Sequence, residues 1–141
     1  MVRYYLIMKK ERLNMKFLDI FKNHDFSRIK EEKVFLVGSI RFKDIFIKIE
    51  TILQIIYGKL VGICSVDGLL HKEKFSTKEW NKLQLIALKK LENYDAILVL
   101  DVDGYIGDQS KEEIDYFTSK LKRPVYWLSK LRKDSLIILI F

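Results

Sequence analysis

At 141 residues, nearly half of them hydrophobic, the chain is sized for one domain with a core of its own. A single cysteine, Cys64, excludes an internal disulfide, and His24 and His71 stand apart, so neither a metal site nor a cofactor is expected. The formal charge of +7 favours anionic ligands, but no nucleic-acid motif accompanies it and nucleic acid is not an expected partner. Residues 120–133 carry six basic side chains and no acid, and residues 1–33 carry nine basic and five acidic ones, so a solvated basic face is expected.

In chain order, residues 4–8 are apolar but too short for the core of a signal peptide, and no stretch reaches the length of a membrane span. The expectation is a reduced, cytoplasmic protein with no membrane partner. Leu13, Phe17, Ile20 and Phe21 recur at helical spacing, which predicts a helical extension over 1–33, packed on the domain edge or on another subunit. Residues 34–37 are a short apolar run and the predicted first strand. The run ends in Gly38-Ser39-Ile40-Arg41 and leads into a predicted helix over 42–57, with Phe42, Ile45, Phe46, Ile49, Leu53 and Ile56 on one face and Gly58 as terminator. Ile47, Ile52 and Ile55 add apolar surface beyond that face, so a second buried face and a homo-oligomer are expected. The strand–Gly–helix turn lets the backbone approach a ligand at Gly38. It also sets Ser39 and Arg41 beside helix amides that attract an anion.

Residues 60–65 read as the second strand and 66–75 as a polar loop containing Asp67, Gly68 and His71. Ser76 and Glu79 have capping-box spacing and open a helix to about residue 93, with a stripe of Trp80, Leu83, Ala87 and Leu91 predicted to be buried. The third strand, 96–102, runs into Asp101 and Asp103 and then a loop punctuated by Gly104 and Gly107. A helix predicted from Ser110 buries Ile114, Phe117 and Leu121, turns Glu112 and Asp115 to water and leaves Glu113 on the flank. Ser110-x-x-Glu113 has two readings: a capping box, or a carboxylate at the edge of a ligand crevice. Pro124 ends that helix, 125–128 is the fourth strand, and the apolar tail 136–141 suits an edge strand or a dimer-pairing segment.

Strands alternating with helices over 34–128 predict an α/β domain, Rossmann-like or flavodoxin-like, with three α/β/α layers and a parallel sheet of about four or five strands. Residues 1–33 and 129–141 flank it as extension and tail. The loops after residues 37, 65 and 102 then share one carboxyl edge, where open α/β sheets bind ligands. The candidate site is Glu113 with Gly38, Ser39, Arg41, Asp67, Asp101, Asp103, Gly104, Gly107 and Ser110 around it.

The segments VFLVGSIR (34–41), YDAILVL (94–100), GYIGDQSKEEIDY (104–116) and Arg123-Pro124-Val125 resemble the nucleoside 2-deoxyribosyltransferase-like superfamily, its small bacterial and phage members above all. The resemblance covers residues 34–128 and implies cleavage of an N-glycosidic bond in a nucleoside or nucleoside 5′-monophosphate. Glu113 corresponds to the glutamate that attacks the anomeric carbon, and Gly38 and Ser39 to the turn against sugar or phosphate. Better-known members carry an Asp where Ala87 stands here. Either another acid substitutes, with Asp67, Asp101 and Asp103 as candidates, or the protein is a catalytically weak nucleotide- or ADP-ribose-binding module of the same fold.

Overall fold

The computed structural model describes residues 21–133, so most of the helical extension expected over 1–33 and the tail at 136–141 lie outside the described residues. Four short strands, β1 (Lys33–Val37), β2 (Leu60–Gly62), β3 (Ala96–Val99) and β4 (Val125–Trp127), pair entirely in parallel in the order β2-β1-β3-β4. In the central pair Val34 lies opposite Ala96 and Val37 opposite Val99. Both central strands are apolar at every buried position because both faces of the sheet are covered. Val34, Leu36, Leu98 and Leu100 enter one core, and Phe35, Val37, Ile97 and Val99 enter the other. That alternation is the period of two of an extended chain.

One face is covered by helix α1 (Lys43–Ile55) through Phe46, Ile49, Ile52 and Leu53. The opposite face is covered by α3 (Thr77–Leu91) and α4 (Asp108–Asp115), whose side Leu91 and Phe117 occupy, with a short helix α2 (Val66–Leu70) between β2 and α3. This is the three-layer α/β architecture. Phe35, Phe46 and Phe117 are fully buried, and each burial contributes roughly 1.5–3 kcal/mol. Gly58 ends α1 in the left-handed region at φ 62°. Its amide donates to the Gln54 carbonyl and the Lys59 amide to the Leu53 carbonyl, each at 3.1 Å, a paired closure that a residue with a Cβ strains.

Two local expectations, on strand length and on the 66–75 loop, are corrected, and the apolar excess of α1 and the flanks of the domain are placed. Strands β2 and β3 stop earlier than the apolar runs: Gly62 is the last ladder residue of β2 and Val99 that of β3, beyond which the Asp101 carboxylate accepts from Ser129. The expected loop over 66–75 contains α2, because the Ser65 hydroxyl accepts the Gly68 amide at 3.1 Å and Leu69 inserts into the core. Of the isoleucines expected to form a second buried face on α1, Ile52 belongs to the core, whereas Ile47 and Ile55 are exposed in the single chain. The chain outside 34–128 also joins the core: Phe21, Phe26, Ile29 and Leu131 pack with the α1 cluster, beside Leu128 at the domain's end. The Lys133 amide donates to the Asn23 carbonyl at 2.7 Å and the Asp25 amide to the Leu131 carbonyl at 2.8 Å, tying the two flanks together.

Candidate functional site

The strand order places a topological switch between β1 and β3. The chain leaves β1 towards β2 on one side and leaves β3 towards β4 on the other, which opens a crevice at the carboxyl edge. A cleft of about 170 Å³ lies along that edge. Gly38, Ser39 and Ile40 line it after β1, Cys64 and Ser65 after β2, and Gly68 on α2. Helix α3 contributes Trp80, Leu83, Gln84 and Ala87; the start of α4 contributes Gly107, Asp108, Gln109, Ser110 and Glu113; Lys72 stands at the rim.

The α3 wall is set by its N-terminus. The Ser76 amide donates to Glu79 Oε1 at 2.8 Å and the Glu79 amide to Ser76 Oγ at 3.1 Å, the capping box that the spacing predicts. The first turns of α3 border the cleft, so Trp80 and Leu83 are half-buried walls of it, whereas Ala87 and Leu91 are buried. A Cβ on Gly68 would stand 3.1 Å from the Trp80 ring and 3.3 Å from Leu83, so glycine permits this approach of α2 to α3. At Gly38 a Cβ would meet Leu100 at 3.1 Å and Phe46 at 3.3 Å, which keeps the floor of the cleft bare of side chain.

The α4 wall decides between the two readings of Ser110 and Glu113. Helix α4 begins at Asp108 after Gly107 in an extended conformation, and no side chain caps it. Ser110 is therefore the third residue of the helix and buried, and the capping box expected there does not form. Glu113, only 7% exposed, lines the cleft instead. Burial pushes its carboxyl up to about 7, with a small further rise from the Glu112 charge; a hydrogen bond from the Gln109 side chain, one turn earlier, acts against both. Such a carboxyl changes charge near neutrality and gains from a cationic partner. Burial, with the Glu113 charge second, pushes the nearby Cys64 thiol up to about 11, so it stays protonated and is a poor nucleophile.

Gly38, Ser39, Gly107, Ser110 and Glu113 are thus brought together as the sequence suggests. The other expected site residues lie outside the cleft, each for a definite reason. Arg41 is exposed and stacked 3.9 Å from the centre of the Tyr105 ring, in an adjoining groove. Asp67 is exposed and ion-paired to Lys74. Asp101 is buried but accepts the Ser129 amide at 2.9 Å and the Ser129 hydroxyl, which fixes the turn after β4. Asp103 and Gly104 form an exposed left-handed turn at φ 53° and 75°. None of the three aspartates considered as substitutes at Ala87 therefore reaches the cleft; its second acid is Asp108, exposed at the start of α4.

Trp80 and Leu83, read from the sequence as core, and Gln84, Asp108, Gln109, Cys64, Ser65 and Lys72 were not legible as cleft residues. The signal for the first pair is that a helix following a strand's carboxyl edge can expose its opening turns to the ligand crevice. Asp108 and Gln109 precede Ser110, where the spacing sets the helix start, and so carry no site signal of their own. Among the described residues no group of three or more His, Cys, Asp or Glu side chains is placed to hold a metal ion, and no helix is long and apolar enough to cross a membrane. Comparisons with protein-family models, with curated proteins and with solved structures each found no match. Fold and cleft together define an α/β protein with a buried carboxyl group in the crevice at its sheet edge.

Proposed function

We propose that this cleft cleaves the N-glycosidic bond of a nucleoside or nucleoside 5′-monophosphate, with Glu113 as nucleophile. The observation that carries the reading is the burial of an uncapped glutamate, with its carboxyl raised to about 7, in the crevice at the strand-order switch. Ionised Glu113 stabilises the oxocarbenium character that develops as the C1′–N bond lengthens, and then forms a bond to C1′. The bonding pair leaves with the base nitrogen, which takes a proton from solvent. Water, or the nitrogen of a second base, then displaces the Glu113 ester at C1′ and gives up a proton, regenerating the carboxylate. The half-buried Trp80 and Leu83 give the base an apolar wall, and Gln84 offers an amide to its edge.

A second reading, a nucleotide-binding module with little turnover, is favoured by one observation. Ala87 lines the same cleft as Glu113 and supplies no acid to orient the sugar or assist the leaving group. One assay separates the two: release of free base from a panel of purine and pyrimidine nucleosides, deoxynucleosides and their 5′-monophosphates. The enzyme reading expects base from at least one of them. Thermal stabilisation without base release supports the binding module, and a panel with neither outcome overturns both.

A further inference from the structure

The Glu113 cleft does not end at Ser39. A second groove of about 450 Å³ adjoins it and shares Ser39, Ile40 and Lys72 with it. The walls of the second groove differ in kind. They carry Arg41, Lys43 and Lys72 against one acid, Glu73, with the partly exposed Tyr105 ring. Among the described residues none of the three cations is ion-paired, whereas Lys74 close by is neutralised by Asp67, and Glu73 lies 3.8 Å from His71. The Arg41 guanidinium is stacked on Tyr105 at 3.9 Å, and Tyr105 packs edge-on against Phe42 with ring centres 6.1 Å apart. Stacking orients the guanidinium plane and leaves its edge N–H groups to bind oxygen anions in pairs. Lys72 lies over the Trp80 ring at 4.9 Å, at the junction of the two chambers.

A single phosphate ester on a sugar held near Glu113 is served by Ser39 and Arg41 alone. That leaves Lys43 in the second groove and Lys72 at the junction without an anion. Two more cations in a concave site raise the local potential for a ligand with a second phosphate.

Resting on the glycosidase or nucleotide-binding reading of the cleft, we propose that the preferred ligand is a nucleotide bearing a pyrophosphate. Its base and sugar lie in the Glu113 cleft, and its second phosphate lies in the Arg41–Lys43–Lys72 groove.

The test is calorimetric titration of the Glu113→Gln protein, in which turnover cannot consume the ligand, with a nucleoside, its 5′-monophosphate, its 5′-diphosphate and ADP-ribose. Inorganic phosphate and pyrophosphate serve as base-free probes. The expected result is at least tenfold tighter binding of diphosphates than of the matching monophosphate, and pyrophosphate binding measurably where phosphate does not. In Lys43→Ala/Lys72→Ala the diphosphate-to-monophosphate ratio falls to about one, whereas Lys82→Ala/Lys89→Ala, which removes the same charge from the exposed side of α3, keeps it. Equal affinity for mono- and diphosphates, a ratio that survives loss of Lys43 and Lys72, or no binding of either class overturns the proposal. Base release by the wild type without a diphosphate preference removes only this inference. A diphosphate preference without base release from any nucleotide removes the glycosidase reading and leaves the groove.

Discussion

Glu113 on α4 and Ala87 on α3 line the same cleft and both are buried, so the position where the resemblance leads one to expect an acid faces the glutamate's pocket as a methyl group. The substitution Ala87→Asp tests what that absence costs. A second carboxylate in one low-dielectric cleft opposes ionisation of the first, so the Glu113 midpoint is expected to move above its value of about 7. The variant also buries a polar group at a site shaped for a methyl, at a cost of about 1–3 kcal/mol in stability. Against that, an acid able to assist the leaving group is expected to speed base release by about 10-fold or more. Carbon-13 NMR of the glutamate carboxyl and a base-release assay on the same preparation read both effects. An unmoved midpoint would mean that the Ala87 side chain does not share Glu113's electrostatic surroundings.

Burial of Glu113 predicts a pH-dependent penalty that needs no ligand to observe. Its folded value of about 7 lies above the ordinary 4.5. Between those two pH values the folded protein holds a proton that the unfolded chain has released. Wild-type stability therefore falls as pH rises from about 4.5 to about 7 and stays at the lower level beyond, a loss of about 3 kcal/mol. Glu113→Gln has no proton to lose. Urea unfolding is expected to show the variant level with wild type at pH 4 and more stable by about that amount at pH 8. A difference that is the same at both pH values would assign it to packing rather than to charge.

The parts of this fold that were legible in the sequence are those fixed by near neighbours. The runs at 34–37 and 96–102 read as buried strands, the second of them ending at Val99, because both faces of a covered parallel sheet are apolar. Ser76 and Glu79 read correctly as a capping box, and Glu112 and Asp115 as solvent-facing, because helical spacing alone decides both. What was not legible depends on distant partners or on backbone conformation. Asp101 looks like a ligand residue until Ser129, 28 positions later, takes both its oxygens. The start of α4 is set by Gly107 in an extended conformation, which has no side chain to announce a cap. Ser110 therefore imitates an N-cap that lies three residues earlier, at Gly107.

The contrast between the two serines is measurable. Ser76→Ala removes the side-chain bond to the Glu79 amide and is expected to cost about 1 kcal/mol. Ser110→Ala removes no cap, and its hydroxyl, buried beside the cleft, is expected to matter for ligand affinity instead. Thermal melts of the two variants, each with and without nucleotide, separate the effects. A Ser110→Ala protein that melts as low as Ser76→Ala, with ligand affinity unchanged, would contradict the assignment. The Glu79 carboxyl is held below its usual range by the Ser76 amide, so the Ser76–Glu79 contribution is present at neutral pH and lost as pH falls through that lowered value.

Arg41 is expected to give the protein a preference for a 5′-phosphate over a neutral nucleoside. Its guanidinium is fixed by the Tyr105 ring near Ser39, one of three residues common to both chambers. Arg41→Ala is expected to weaken monophosphate binding by about tenfold, the scale of one charge-assisted contact, and to leave nucleoside binding within about twofold. Calorimetry on a matched nucleoside and monophosphate pair measures it. Equal affinity of the wild type for the two would remove Arg41 from the site. Tyr105→Leu, which frees the guanidinium without removing it, is expected to fall between wild type and Arg41→Ala.

The nucleophile itself is tested by rate and by pH together. If the attacking group is the Glu113 carboxylate, kcat/KM rises with pH towards about 7 and levels above it, since only the ionised form can bond to C1′. Glu113→Gln can neither stabilise the oxocarbenium by charge nor form the ester, and a loss of several orders of magnitude, about 4–6 kcal/mol, is expected. Glu112→Gln serves as the control, because Glu112 is exposed and does not line the cleft; its removal is expected to lower the Glu113 midpoint slightly and to spare the rate. A purely structural role for Glu113 makes a different forecast. Glutamine fills the same volume without the buried charge, so the protein would gain stability at neutral pH and keep its activity. Activity lost while the variant melts no lower than wild type therefore identifies a chemical role, and a Glu113→Gln protein that still releases base at the wild-type rate rules out the mechanism.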